Sequence, residues 1–433
     1  MSSQAETVPD LSELAWLGTM SIYSKISLLV VLLVIIGLSG CDSDGGVVHE
    51  TDPSGDIPHV EWLKQDLIKG NLEPRLVSGL LPDGFYRPLL RNDWTPKSQQ
   101  KGTLISQSRF IYVMAMGYEV TSDKRYLDAM KRAADYLLGH FANPDIQGHW
   151  YREVLPDGHV SNRGFHAYGY AQVVLALAHS YKITKYTRYL ESAMSTWVAL
   201  DIADAVNGHN KSYDLRGLNV AMHIFESLLV LYKATEHSHM IGQDLNVLAR
   251  YIVDHFFDPK LGVFVEDLTP TLDRAVDGEI RLGHAIEIAF LLSRAVDAGL
   301  PAAYLVPANA SVDFVSRQAA KNPIGIIPHT TDYKGTTRDS EQYWWAQTEL
   351  LRGLAHFAMH RNRPDLTTQF RKALEQVQKH FIDPVYGGWF KKPDAAELDK
   401  GDPWKVGYHV TMMLTEMMRL QGMKFHSGSE VLL

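Results

Sequence analysis

Residues 110–120 read FIYVMAMGYEV and residues 123–141 read DKRYLDAMKRAADYLLGHF, and this pair decides the fold. The first segment is apolar on almost every side, the mark of a helix buried all round. The second has one charged face and one apolar face, the mark of a helix at the outside of a core. The pair is then repeated. Apolar segments recur at 170–183 (YAQVVLALAHSYKI), 221–234 (AMHIFESLLVLYKA), 285–296 (AIEIAFLLSRAV), 348–359 (TELLRGLAHFAM) and 410–420 (VTMMLTEMMRL). Amphipathic partners stand at 187–200 (TRYLESAMSTWVAL) and 367–381 (TTQFRKALEQVQKHF). Three amphipathic segments run into one kind of turn: FANPDIQGHWY from Phe141, FFDPKLGVFV from Phe256 and FIDPVYGGWF from Phe381. In each, proline stops the helix and glycine permits a tight return into a short aromatic strand.

Six inner segments alternating with outer ones predict an all-α fold, an (α/α)6 toroid with short β-hairpins in its connecting loops. Five hairpins follow residue 100, so the helix expected near Val60–Lys69 must pack beside the last inner helix to close the ring. The barrel is expected over residues 58–424, with 425–433 as a C-terminal tail.

The chain has 433 residues, 45% hydrophobic and 21% charged, which suits one large packed core. A net charge of −8 with no Lys/Arg run argues against a nucleic-acid partner. Cys41 is the single cysteine, so neither an intrachain disulfide nor a cysteine metal site can form.

That cysteine has a context. Residues 26–38 are an apolar run, ISLLVVLLVIIGL, after Lys25, of a length that suits a signal h-region. Leu38-Ser39-Gly40-Cys41 follows at once and resembles the lipobox of bacterial lipoproteins, which implies lipidation at Cys41. Residues 1–41 are therefore expected to be a leader, with Met20 as the better start, and 42–57 a flexible Gly- and Asp-rich tether. The resemblance implies a lipid-anchored protein of the bacterial cell envelope, on the periplasmic face; Asp42 after the cysteine points to the inner membrane.

Polar residues stand where the apolar helices begin: Arg109, Tyr170, His223, His284, Glu349 and His409, at intervals of 61, 53, 61, 65 and 60 residues. Equivalent positions on successive inner helices of a ring meet at one end of its cavity. Burying such groups is costly unless they pair or work. His223 and Glu226, like His284 and Glu287, are three residues apart and share a face, and Asn219 lies one turn before His223. A carboxylate beside an imidazole raises its basicity and fixes its orientation. A di-iron site would need more bridging carboxylates, and aromatic residues crowd the same region, so no metal is expected. Trp345 and Trp404 suit stacking on a sugar ring, with Tyr168, Tyr170 and Tyr408 near the polar set, whereas Trp344 reads as core.

With these residues in place the chain resembles the N-acylglucosamine 2-epimerase family, and its cellobiose 2-epimerase-like members in particular, from about residue 80 to 422. KGTLISQSRFIY resembles the first inner helix with a substrate-binding arginine, Arg109; LNVAMHIFESLL carries Asn219 and His223. GHAIEIAFLL resembles the segment with the first acid/base histidine, His284, and Glu287; YWWAQTELL carries Trp345 and Glu349. DPWKVGYH carries Trp404 and the second acid/base histidine, His409. Two departures stand out: Met412 replaces an arginine common three residues after the last histidine, and Arg163 or Phe165 stands near an expected lysine.

The resemblance implies a carbohydrate 2-epimerase or aldose–ketose isomerase acting on a reducing hexose or the reducing end of a disaccharide, without a cofactor. His284 and His409 would exchange the carbon-2 proton through a cis-enediolate. Arg109 and His223 would stabilise the oxyanion, Glu287 and Glu349 would tune the histidines and assist ring opening, and Tyr168, Asn219, Trp345 and Trp404 would hold the sugar. The sequence leaves the oligomeric state open. The alternatives are a glycoside hydrolase or lyase on the same toroid, with Glu287 and Glu349 as its acids, or a non-catalytic sugar-binding lipoprotein.

Overall fold

Alternation of apolar and amphipathic segments becomes alternation of inner and outer helices in a computed structural model that describes residues 57–393 and 398–428. Backbone contacts divide the chain into Met1–Val48 and His49–Leu433, and the architecture below is that of the second unit. The leader with Cys41, the tether up to residue 56 and residues 429–433 lie outside the described residues. Among the described residues no helix is long and apolar enough to cross a membrane.

The chain opens with α1 (Val60–Leu67), a π turn (Ile68–Leu72) and α2 (Glu73–Gly79) on the outside. After β1 (Gly102–Thr103) comes the first inner helix, α3 (Leu104–Thr121). Outer α4 (Lys124–Tyr136) leads through β2 (Glu153–Val154) and β3 (Val160–Asn162) to inner α5 (Ala167–Thr184). Outer α6 (Thr187–Leu200) and the short α7 (Ile202–Val206) lead to inner α8 (Leu218–Ala234). Outer α9 (His239–Phe256), β4 (Phe257–Asp258), β5 (Val263–Phe264) and β6 (Glu279–Arg281) precede inner α10 (Leu282–Asp297). Outer α11 (Leu305–Lys321), β7 (Thr330–Asp332) and β8 (Thr337–Asp339) precede inner α12 (Trp344–Ala355). Outer α13 (Thr367–Phe381) and inner α14 (Tyr408–Leu420) complete the set.

The inner helices pack in a closed cycle: α3 on α5, α5 on α8, α8 on α10, α10 on α12, α12 on α14, and α14 back on α3. The fold is the expected (α/α)6 toroid. Ring closure falls to the early segment as the count required, since α1 packs on α14. Asn71 in the π turn donates to the Gly407 carbonyl at 3.1 Å and to Thr411 Oγ1 at 2.8 Å, fastening the start of the barrel to its last inner helix. Ile57 is fully buried, Phe425 is buried, and His426 bonds Tyr118 and Ser122.

The three Phe-led turns are small hairpins. Asn143, Asp258 and Asp383 each accept backbone N–H groups two or three residues on, and Gly148, Gly262 and Gly387 take the left-handed conformation before the return. Two three-stranded antiparallel sheets, β1-β2-β3 and β6-β7-β8, stand where inner helices begin. They wall the end of the barrel that holds the polar residues.

Candidate active site

Helix starts set the layers of the site. Tyr168, Asn219, Trp345 and His409 are the second residues of α5, α8, α12 and α14, and His284 is the third of α10. One turn deeper, Arg109, Gln172, His223, Glu287 and Glu349 are each the sixth residue of their helix. A cavity of about 300 Å³ opens on the first layer and reaches the second. Arg109, Tyr168, Asn219, His223, His284, Trp345, Trp404 and His409 all line it. The expected site residues that do not line it are Glu287 and Glu349, which lie behind the histidines.

His284 and His409 come from opposite stretches of sequence to one chamber, with Trp345 between them. Ring centres lie 4.9 Å apart for His284–Trp345 and 5.9 Å for Trp345–His409. Gly283 makes room for that tryptophan, because a Cβ there would meet its ring at 2.5 Å. Each histidine turns one nitrogen away from the cavity onto a buried carboxylate. His409 Nδ1 lies 2.7 Å from Glu349, His223 Nδ1 2.9 Å from Glu226, and His284 Nδ1 2.8 Å from Glu266. That arrangement leaves Nε2 as the nitrogen free to face a substrate.

Two expectations need correcting. Glu287 does not back His284; that place belongs to Glu266, which follows β5. The side chain of Glu287 points deeper, where neither of its oxygens has a hydrogen-bond partner among the described residues. Tyr170 is not part of the converging set. It lies two residues, about 200° around the helix, from Tyr168, and its hydroxyl accepts from Trp150 N on the far side.

Tyr168 takes the α5 position in the ring, edge-on to His223 at 4.6 Å and to Trp404 at 5.5 Å. Arg109 donates to the Tyr168 hydroxyl and, at 2.9 Å, to the Trp404 carbonyl, while its guanidinium lies 4.4 Å over the Tyr408 ring. Trp404 itself stands half exposed at the mouth. The strap behind it is tied down by Lys405, which donates to the Trp389 and Asp399 carbonyls, and by Lys400 on Asp383 at 2.6 Å. Trp344 is buried, as its reading as core required, although its edge touches the cavity.

Burial governs the electrostatics. It holds the His409 imidazole well below its ordinary pKa, with Arg109 adding to the shift, and it lowers His223 against the opposing pull of Glu226. Both rings are therefore neutral near pH 7. Burial also pushes Glu349 up to about 7, with Arg352 opposing, and raises Glu287 well above the carboxylate range with help from Glu349. Burial pushes Glu266 up, but the charge and hydrogen bond of His284, with Arg281 and His329 adding, together keep its carboxyl below the usual range.

At the site, two of the three groups with metal-like spacing among the described residues are His223, Glu226 and Glu287, and Glu287, Glu349 and His409, each with ligand atoms within 4.8 Å. Arg352 occupies that region as the cation, paired with Glu349 and 3.7 Å from Glu287. Its Nη1 lies 3.0 Å from Met412 Sδ, so an arginine reaches the carboxylates from α12 where α14 has methionine.

Sequence reasoning missed Glu266 and five cavity residues: Arg281, His329, Tyr343, Lys391 and Asp402. None lies on an inner helix, so no helical period marks them. Arg281 ends β6, paired with Thr330, and His329 stands just before β7, which gives the only signal: polar residues at a strand that leads into an inner helix.

The sequence model of the N-acylglucosamine 2-epimerase (GlcNAc 2-epimerase) family matches residues 84–412. The chain belongs to that family. Among relatives of this epimerase-family chain is a cellobiose 2-epimerase of Bacteroides fragilis, 22% identical over 407 residues, covering 82% of this chain and 99% of that protein. A D-mannose isomerase of Marinomonas mediterranea is 22% identical over 380 residues, covering 78% and 92%. Among solved structures, a cellobiose 2-epimerase from Spirochaeta thermophila superposes with a TM-score of 0.75 at 20% identity, covering 83% of this chain and 96% of that one. That likeness bears on the fold.

Proposed function

We propose that this protein is a sugar 2-epimerase or aldose–ketose isomerase that moves the carbon-2 proton of a reducing hexose, or of the reducing-end unit of a disaccharide. One observation carries the reading: His284 and His409 face a single sugar-sized cavity from either side of Trp345, each backed by its own buried carboxylate.

Carbon 2 of an open-chain aldose is acidic only through the neighbouring aldehyde. Its removal needs a base at the C–H bond and donors at O1, where charge develops. His284 and His409 serve as base and acid on the two faces. Arg109 is held by Tyr168 and the Trp404 carbonyl, and it works with His223 on the enediolate oxygens. Trp345 and Trp404 offer flat apolar surfaces to the sugar's C–H face, and Asn219 offers hydrogen bonds. Return of the proton to carbon 2 gives the epimer; delivery to carbon 1 gives the ketose. The hydrolase alternative is disfavoured because Glu287 and Glu349 sit behind the imidazoles, away from any bond a cavity-bound sugar would present.

The test is a panel of reducing sugars, mannose, glucose, N-acylated hexosamines and β-linked disaccharides, incubated with the protein in deuterated water and read by NMR. A 2-epimer or ketose carrying solvent deuterium is the expected product. Release of smaller sugars, or binding without exchange, would reject the assignment.

The apolar run and Cys41 support a further part of the reading, a lipid-anchored protein of the cell envelope. A Cys41→Ser variant expressed from Met20 should lose labelling by a palmitate analogue; equal labelling would remove the anchor.

A further inference from the structure

Beneath the cavity floor lies a layer of acids with too few bases. Glu226, Glu287 and Glu349 are all buried, and among the described residues Arg352 is the guanidinium that pairs with this layer. Glu226 Oε1 and both oxygens of Glu287 lack hydrogen-bond partners among the described residues. Leaving buried groups of this kind unmet is ordinarily costly. The two ends of the layer are hydrogen-bonded: His223 Nδ1 meets Glu226 at 2.9 Å, and His409 Nδ1 meets Glu349 at 2.7 Å. Between these ends Glu287 is within 4.8 Å of Glu226 on one side and of Glu349 on the other. Tyr408 donates to Glu226 Oε2 and holds that carboxyl in place.

We infer that Glu226, Glu287 and Glu349 form a buried bridge that passes a proton from His223 to His409, an inference that rests on the reaction proposed above. The step it serves is collapse of the enediol to the product aldehyde. The O1–H bond breaks, its electron pair re-forms the C1=O bond, and the proton goes to His223 Nε2. The C1=C2 π pair takes the proton on His409 Nε2, forming the new C2–H bond. Behind the substrate, the Nδ1 proton of His223 passes to Glu226 while the carboxyl proton of Glu287 passes to Glu349. Glu226 then reprotonates Glu287, and Glu349 protonates His409 Nδ1. Over this step every relay group ends with the number of protons it began with, and the net transfer is from O1 to carbon 2; the O1 proton is taken from solvent as the enediolate becomes the enediol, and the proton that His284 removed from carbon 2 leaves to solvent. The arrangement needs a proton stored on Glu287 before the step. Burial supplies it, since it raises that carboxyl and its neighbour Glu349.

Glu287→Gln keeps the shape and a hydrogen-bond donor but cannot relay a proton, whereas Glu287→Asp keeps an acid in a shorter side chain. Each is compared with wild type in deuterated water on the sugar that wild type converts, following product formation and deuterium wash-in to recovered substrate. Wash-in needs His284 and the donors at O1, but no proton from His409. In Glu287→Gln product should fall about 10²-fold while wash-in stays within a few-fold of wild type, and Asp should recover much of the product. Glu226→Gln, at the other end of the bridge, should show the same split. An unchanged ratio of product to wash-in in both Gln variants overturns the bridge, as does a Gln variant more active than Asp, which would mark a role in shape. Wild type with neither product nor wash-in on any sugar would instead overturn the function beneath it.

Discussion

His284 shows what one residue's surroundings decide. Its Nδ1 rests on Glu266, whose other oxygen lies 3.3 Å from Arg281. The backbone carbonyl of Glu266 accepts from Leu218 N at the start of α8, so the carboxylate is fixed between two inner helices. Glu266→Gln keeps the size and removes the charge that favours the imidazolium. Turnover should fall about 10²-fold with KM changed less than threefold; a steady-state comparison showing wild-type kcat would remove Glu266 from the site. The histidines were legible in the sequence because a polar group at the start of an apolar helix breaks its pattern. Glu266 was not legible, since a loop residue 18 positions before its partner breaks no pattern.

At the scale of elements, the inner helices deliver their side chains in register because their starts are fixed. Gly407 starts α14 with φ 87°, and a Cβ there would meet Asn71 Oδ1 at 2.0 Å. Gly422 has a similar φ of 76° with nothing within 4 Å. Gly407→Ala should therefore destabilise by the backbone strain of about 1–3 kcal/mol plus the cost of displacing Asn71, whereas Gly422→Ala should cost the strain alone. Urea midpoints check this, and equal losses would show that Asn71 does not pin the helix. Helix existence and the hairpins after Phe141, Phe256 and Phe381 were readable from apolar pattern, proline and glycine. Phase was less so. Counting Tyr170 in the converging set turned that α5 residue to the wrong side, because an apolar run fixes that a helix is buried but not which face meets the cavity.

For the whole molecule, the site occupies the end where inner helices begin, and the opposite end is closed by buried pairs. There His356 lies 2.7 Å from both Ser293 and Glu416, joining α10 and α14 to the turn that follows α12. Burial pushes His356 down to about 4 and His179 down to about 3, from 6.5. The unfolded chain therefore binds more protons than the native one below pH 6.5, so stability is complete above 6.5 and is lost as pH falls toward 4. Each such group contributes a slope of at most about 1.4 kcal/mol per pH unit. His356→Gln should give a shallower loss of Tm between pH 6.5 and 4, and an unchanged slope would contradict the assignment. Ring closure by a helix near Val60–Lys69 followed from counting hairpins, whereas the meeting of Glu226, Glu287 and Glu349 in one layer under the floor came only from the folded arrangement.

The central claim is that His284 and His409 reach opposite faces of one carbon. Its most direct test is carbon-2 exchange in deuterated water with His284→Asn and His409→Asn, each given either epimer of the sugar that wild type converts. Each variant should lose net epimerisation yet exchange the carbon-2 proton of one epimer only, and the two should choose opposite epimers. Exchange of both epimers by one variant, or full conversion by either, would contradict the account.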